Sequence, residues 1–284
     1  MSVARRIVRP LLGAGRWFPG GRDELRGVVE QFIAEAHVPP GAGRMVGLIA
    51  PHAGYVYSGP VAGYAFRALR ENAAEHGAPD VAVVLGFSHR GSFRGVAIMD
   101  GDAIVSPLGE TPLDADAAAF LTAADPRLVP DYKPHVGEHS AENQVPFLQT
   151  VLPETPLVLL LIGQHDADLM EALAAVLRKL AVKKSILVIA SSDMLHDPDY
   201  ERVRKTDQAT LRKVAAMDAV GVMREWDYSQ QVFCGIAPVV TAMKYAQARG
   251  CQKASVLRYR NSGDDHPESR GQWVVGYSAV AFAV

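Results

Sequence analysis

Four short runs in this chain are almost wholly apolar: residues 45–50, 81–85, 157–162 and 185–190. A strand with one wet face alternates polar and apolar side chains, so unbroken runs of this length belong to strands covered on both faces. Such strands sit in largely parallel sheets, where each connection needs a crossover, usually a helix. The intervening segments fit that role. Helical spacing predicts helices over 167–180, 200–217, 219–225 and 235–248, and strands over 254–259 and 273–283. Strands alternating with helices argue for an α/β sandwich with a mostly parallel, mixed central sheet flanked by helices.

The remaining segments give local expectations. Residues 1–22, broken by Gly13, Gly15, Pro19, Gly20 and Gly21, read as an irregular arm packing near the pocket. Asp23 is expected to cap a helix that ends at Pro39-Pro40-Gly41, and residues 61–69 to form a helix after a loop. Residues 96–99 and 103–107 suggest a hairpin turning at Asp100-Gly101. Residues 114–123 read as a helix and 125–140 as a polar loop. Residues 141–151 are helical, with Pro146 either kinking the segment or starting a separate helix. No repeat or linker divides the 284 residues, so one domain over 1–284 is expected.

Composition narrows the function classes. A net charge of −2 with mixed signs offers no nucleic-acid or anionic-membrane footprint. No run approaches the roughly 18 apolar residues of a membrane-spanning helix. Arg5, Arg6 and Arg9 precede no apolar stretch long enough for a signal peptide. Two cysteines, Cys234 and Cys251, make no disulfide framework, which points to reduced thiols and a cytoplasmic setting. Cys251 reads as a small buried hydrophobe. No phosphate-binding loop, dinucleotide fingerprint or Gly-x-Ser-x-Gly elbow is present.

The ends of the apolar runs carry the chemistry. Ala50-Pro51-His52-Ala53-Gly54, Gly86-Phe87-Ser88-His89 and Ser191-Ser192-Asp193-Met194-Leu195-His196 each follow a buried strand, and Phe233-Cys234-Gly235 precedes a helix. In parallel sheets such loops gather at one edge, where sites assemble. Two neutral imidazoles and one thiolate would suit iron, copper or zinc, and a helix N-terminus favours the thiolate form of a cysteine. Asp193 and His196, three apart, can share a face if a helical turn starts there, as a support for a ligand or as a proton carrier. Equally, Asp193 can be a plain N-cap. Glu138 or Glu142 can serve as an acid/base or metal carboxylate, against a poor capping-box reading around Ser140. His135 carries no strong reading. His165 stands at another strand end, and His37, His76 and His266 read as surface residues.

These segments, with Ala14-Gly15-Arg16-Trp17-Phe18-Pro19 and Glu138-His139-Ser140, lie along the chain in an order that resembles the Memo family. Its prokaryotic members are also called AmmeMemoRadiSam system protein B. The resemblance spans nearly the whole chain. It implies a three-layer fold shared with class III extradiol, LigB-like non-haem iron dioxygenases, and a pocket of two His and one Cys that maps onto His52, His89 and Cys234. It maps the family's Asp and His onto Asp193 and His196. Animal members are described as phosphotyrosine-peptide binders in cell motility and as iron- or copper-binding redox proteins. Trp17 and Tyr57 match residues lining the pocket mouth. The family name also implies association with a radical-SAM protein. The chain departs from the family at Arg90, Gln144 and Ile236-Ala237, where His or Arg-His is common. Arg90 is then expected to supply anion affinity, beside Glu138 as a substrate contact. The resulting expectation is a redox protein that uses iron or copper on a small substrate. A peptide- or metabolite-binding module and a zinc-dependent hydrolase are the alternatives.

Overall fold

The computed structural model describes residues 6–41 and 43–284, so Arg5 and the start of the expected arm lie outside it. In chain order the elements are β1 (Val8–Pro10), α1 (Arg22–Glu35), β2 (Met45–Ala50), α2 (Tyr55–His76), β3 (Val81–Phe87), β4 (Val96–Ile98), β5 (Ala103–Ser106), β6 (Gly109–Pro112), α3 (Ala115–Ala124), β7 (Leu128–Pro130), α4 (Val145–Val151), β8 (Leu157–Ile162), α5 (Ala167–Leu180), β9 (Ile186–Ser191), β10 (His196–Asp197), α6 (Tyr200–Ala215), α7 (Ala219–Glu225), α8 (Ile236–Ala248), β11 (Ala254–Asn261), α9 (Ser262–Asp265) and β12 (Val274–Ala283).

Nine strands form the main sheet, ordered β10-β12-β2-β9-β3-β8-β4-β7, with β11 also paired to β12. The four apolar runs are its parallel centre, β2, β9, β3 and β8. Antiparallel pairing begins at β12 on one side and β4 on the other. Alternate residues of each central strand feed opposite cores. Val81, Val83 and Leu85 pack with α5 and α8, whereas Ala82 and Val84 pack with α1, α2 and α4. The result is three layers, helices–sheet–helices, as the unbroken apolar runs require.

Several local expectations change. The arm is partly ordered: β1 pairs in parallel with β5, which turns into β6, in a separate three-stranded sheet. The expected hairpin between 96–99 and 103–107 does not form, because β4 pairs with β7 and β8 while β5 leaves for the small sheet. Gly21, not Asp23, caps α1, leaving Asp23 and Glu24 in its positive first turn. Helix α2 starts at Tyr55, so Tyr57 and Pro60 are helical rather than in a loop. Pro60, the sixth residue of α2, has no amide to give to the Val56 carbonyl, so that helical hydrogen bond is missing. A 3-10 turn over Glu142–Gln144 runs into α4 with Pro146 in its first turn, so the proline starts a separate helix. Among the described residues no helix is long and apolar enough to cross a membrane.

Candidate metal-capable site

Because β2, β3, β8 and β9 run in parallel, the loops after them leave from one edge of the sheet. That edge gathers His52 after β2, His89 after β3, and Ser191 and Asp193 at the end of β9. The segment 138–141 leans against the same edge. Gly86 makes this approach possible: a Cβ there would stand 2.6 Å from Ser140 Oγ and 2.9 Å from the Ala141 nitrogen. The Ser140 hydroxyl donates to the Phe87 carbonyl at 2.8 Å, which fixes Glu138 and His139 beside the strand end. Gly86→Ala should therefore push this segment away, costing about 1–3 kcal/mol by overpacking. Thermal unfolding together with metal titration checks this; an unchanged melting temperature and affinity would refute it.

His52 is buried with its tautomer fixed by its neighbours. The Ser191 hydroxyl spends its only proton on the Ser140 carbonyl and accepts from Gln144 Nε2 at 2.7 Å. What remains is an acceptor lone pair, so His52 Nδ1, 3.1 Å away, must be the donor. The lone pair of His52 is thereby placed on Nε2, which points at Cys234 Sγ at 3.3 Å. Burial holds the His52 pKa well below its ordinary value, reinforced by His89, His139 and His196, so the ring is neutral. Behind it, Asp193 Oδ1 accepts the backbone N–H groups of His52 at 2.8 Å and Ala53 at 3.2 Å.

His89 is arranged in the same way. Its Nδ1 lies 3.0 Å from Glu138 Oε1, and its backbone N–H donates to Glu138 Oε2 at 2.6 Å. Nδ1 is then the donor to the carboxylate, and Nε2 is left for the cluster. Burial opposes charge on His89, but the hydrogen bonds its ring donates toward Cys234 and Glu138 outweigh it, and the pKa is pushed up to about 10, so the ring is protonated at neutral pH. Burial likewise raises Glu138, yet its bonds with His89 prevail and hold it down to about 2. With 32% of its side chain exposed, His89 is the member of the cluster that meets solvent.

His139 completes the group. Its ring lies 5.3 Å from His52 and 5.1 Å from His89, and Trp17 stacks flat upon it at 3.8 Å. Ligating atoms of His52, His89 and His139 fall within 4.8 Å of one another, and so do those of His52, Asp193 and Cys234. His52 belongs to both sets and brings His89 and Cys234 to one place. Burial lowers His139 to about 4, leaving it neutral too. The donors suit a transition ion: imidazole lone pairs beside a thiol, with a second carboxylate holding one ring from behind.

The other nominated residues take different places. No helical turn starts at Asp193, so it neither caps a helix nor shares a helical face with His196. Met194 instead bridges Phe233, and His196 pairs with Val275 in β10. Burial raises Asp193 to about 6 and lowers His196 to about 4. His196 Nε2 is buried with no partner among the described residues. Glu138 sits behind His89 with both oxygens taken, by His89 and by the His139 and Ser140 N–H groups. Glu142 belongs to neither cluster. It accepts the Leu12 and Gly13 N–H groups and so ties down the arm. Arg90 is exposed and donates to the Gly137 carbonyl at 3.1 Å. Tyr57 and Trp17 share the wall of an open, aromatic-lined cavity of about 950 Å³ with Trp273 and Tyr277. The clustered histidines do not line this cavity; Trp17 and Ala53 stand between. Sequence reasoning missed His139, Ser191 and Trp273. His139 was flagged only by its place beside Glu138 in the Glu-His-Ser segment.

A mixed sheet whose parallel strands end at buried imidazoles, a thiol and carboxylates defines an α/β protein with a strand-end, metal-capable pocket. The fold is shared with the crystal structure of uncharacterized protein JW3007 from Escherichia coli K12, with a TM-score of 0.53 at 14% identity, over 84% of this chain and 100% of that one. The model of the Memo-like protein family matches residues 9–281. The MEMO1 family protein MK0963 of Methanopyrus kandleri is 31% identical over 95% of this chain and 96% of its own. A MEMO1 family protein of Sulfurisphaera tokodaii is 33% identical, over 95% and 97%. The chain belongs to the Memo family.

Proposed function

We propose that this protein holds iron or copper through His52, His89 and Cys234, with His139 alongside, and turns over a small substrate of about aromatic-ring size in redox chemistry. One observation carries this reading. Ser191 fixes His52 as the Nδ1–H tautomer with its Nε2 lone pair aimed at Cys234, and Glu138 holds His89 through Nδ1–H so that its Nε2 faces the cluster and can ligate a metal once its proton leaves. A buried arrangement built only for packing has no need to orient two rings this way. When bound, such an ion supplies one-electron chemistry and polarises a coordinated group. The exposed edge of His89 and the Trp17 stack are where substrate approaches. Neutral His196, with its unpartnered Nε2, accepts a proton, and Asp193 holds the His52 loop in place. Chain 1–284 works as one domain in this reading, in a reducing cytoplasmic setting that keeps Cys234 a thiol.

A second reading, a peptide- or metabolite-binding module without turnover, is favoured by the aromatic cavity beside the cluster. Metal analysis of anaerobically purified protein separates the two. About one equivalent of iron or copper per chain supports the redox centre. Bound zinc points instead to metal-activated water and hydrolysis. Metal-free protein that still binds ligand unchanged in Cys234→Ala supports the binding module.

A further inference from the structure

A second set of aromatic side chains, none of them lining the Trp17 cavity, leads from the cluster to the surface. Phe87 meets His89 edge-on at 6.1 Å, and His165 stacks on Phe87 at 3.8 Å. Trp226 packs against His165 at 4.4 Å, and Tyr228 against Trp226 at 5.0 Å. A shorter link also exists. The indole Nε1–H of Trp226 donates to the Phe233 carbonyl at 3.1 Å, and Phe233 is bonded directly to Cys234. One hydrogen bond and one peptide unit thus join the buried thiol to Trp226. Tyr228, at the outer end, is 81% exposed and adds almost nothing to the core. Of these groups, the phenol, the indole and the thiol are the ones that give up single electrons readily. They stand in the order surface, intermediate, site.

We propose that Tyr228 and Trp226 form a one-electron conduit to Cys234, through which the site exchanges electrons with a carrier that cannot enter it. This rests on the redox reading of the site. An external one-electron oxidant removes an electron from Tyr228 or Trp226, and the phenol or indole sheds its proton to water. The neutral radical is refilled by an electron from Cys234 and regains a proton, while the sulfur loses its thiol proton in the first event and, in the second, a proton of the water that adds to it. Two such events and one water convert Cys–SH to Cys–SOH, releasing two protons and two reduced oxidant ions.

The test uses hexachloroiridate(IV), a bulky anionic one-electron oxidant, on chelator-treated full-length protein. Sulfenic acid at Cys234 is trapped and followed by mass spectrometry. Because Cys234 is only 7% exposed, direct attack by this ion is hindered. Trp226→Phe should slow Cys234 oxidation by about tenfold or more, since the intermediate step is lost. Trp226→Tyr, which keeps an oxidisable ring, should restore most of the rate. Hydrogen peroxide, small and a two-electron oxidant, should oxidise Cys234 equally fast in all three proteins. Equal hexachloroiridate rates in wild type and Trp226→Phe overturn the conduit. So does slowing of both variants by both oxidants, which makes Trp226 a packing residue. The readout is the thiol and not metal turnover, so a metal-free protein defeats the proposed function while leaving this result to stand or fall separately.

Discussion

His52→Ala should lose stoichiometric metal altogether, while Glu138→Gln should keep the ligands yet bind metal about 10- to 100-fold more weakly. The difference follows from what each residue supplies. His52 presents the Nε2 lone pair shared by both ligating sets, and no other imidazole is aimed at Cys234 from β2. Its removal leaves a cavity at the centre of the cluster. Glu138 supplies orientation, accepting both N–H groups of His89 and those of His139 and Ser140. A glutamine has one acceptor oxygen, so its amide must face one of these donors, leaving a buried N–H unpaired at a cost of about 1–3 kcal/mol. His89 then loses the carboxylate that orients its ring through Nδ1–H. Anaerobic titration calorimetry with iron(II) or copper(I) reads both effects. Equal affinities for wild type and His52→Ala would place the metal elsewhere.

The second large effect is expected in stability. Asp207 in α6 is fully buried; it accepts the Tyr259 hydroxyl at 2.9 Å and the Leu195 N–H at 3.2 Å. Burial pushes its pKa up to about 8, only partly offset by those two bonds. An unfolded aspartate titrates near 3.9, so between about pH 4 and 8 the folded state binds the extra proton. Stability then falls as pH rises through this window and levels off above the folded pKa. At about 1.4 kcal/mol per unit, the full shift amounts to as much as about 6 kcal/mol. Asp207→Asn cannot ionise: its oxygen can accept Leu195 N–H and its amide can donate to Tyr259. The variant should match wild type near pH 4 and exceed it by several kcal/mol near pH 8. Denaturant unfolding at a series of pH values gives the difference, from which other titrating groups cancel. Parallel stability curves would show Asp207 to be ionised in the fold.

Much of this architecture is legible in the sequence because burial on both faces leaves an unbroken apolar run. Residues 157–162 read directly as β8 for that reason, and 167–180 as α5 because its apolar residues recur at helical spacing. Reading failed where pairing is decided at long range. Nothing local tells 103–106 to join β1 rather than fold back on 96–98. Helix α2 was shortened because the Gly54 and Gly59 flanks and Pro60 look like punctuation, although tertiary packing overrides them. Within the site, His52, His89 and Cys234 were visible as strand-end or helix-start residues. Ser191 and Gly86 were not, because their roles depend on neighbours 139 and 54 residues away in sequence. The separation of Asp193 from His196 was missed because a three-residue spacing matters only on a helix, and this segment is extended.

The position of β12 has a consequence for biosynthesis. The strand that delivers His52 is flanked by β9 and by β12, with Ile49 paired to Val280. As the chain leaves the ribosome, β2 has no partner until β9 has emerged, and its other edge stays open until β12 follows. The β2 edge of the pocket is therefore completed only once β12 has emerged, and an apolar strand with free edges must be shielded meanwhile. Nascent chains stalled before β12 should bind holdase chaperones far more persistently than full-length chains, and should not yet be able to capture metal.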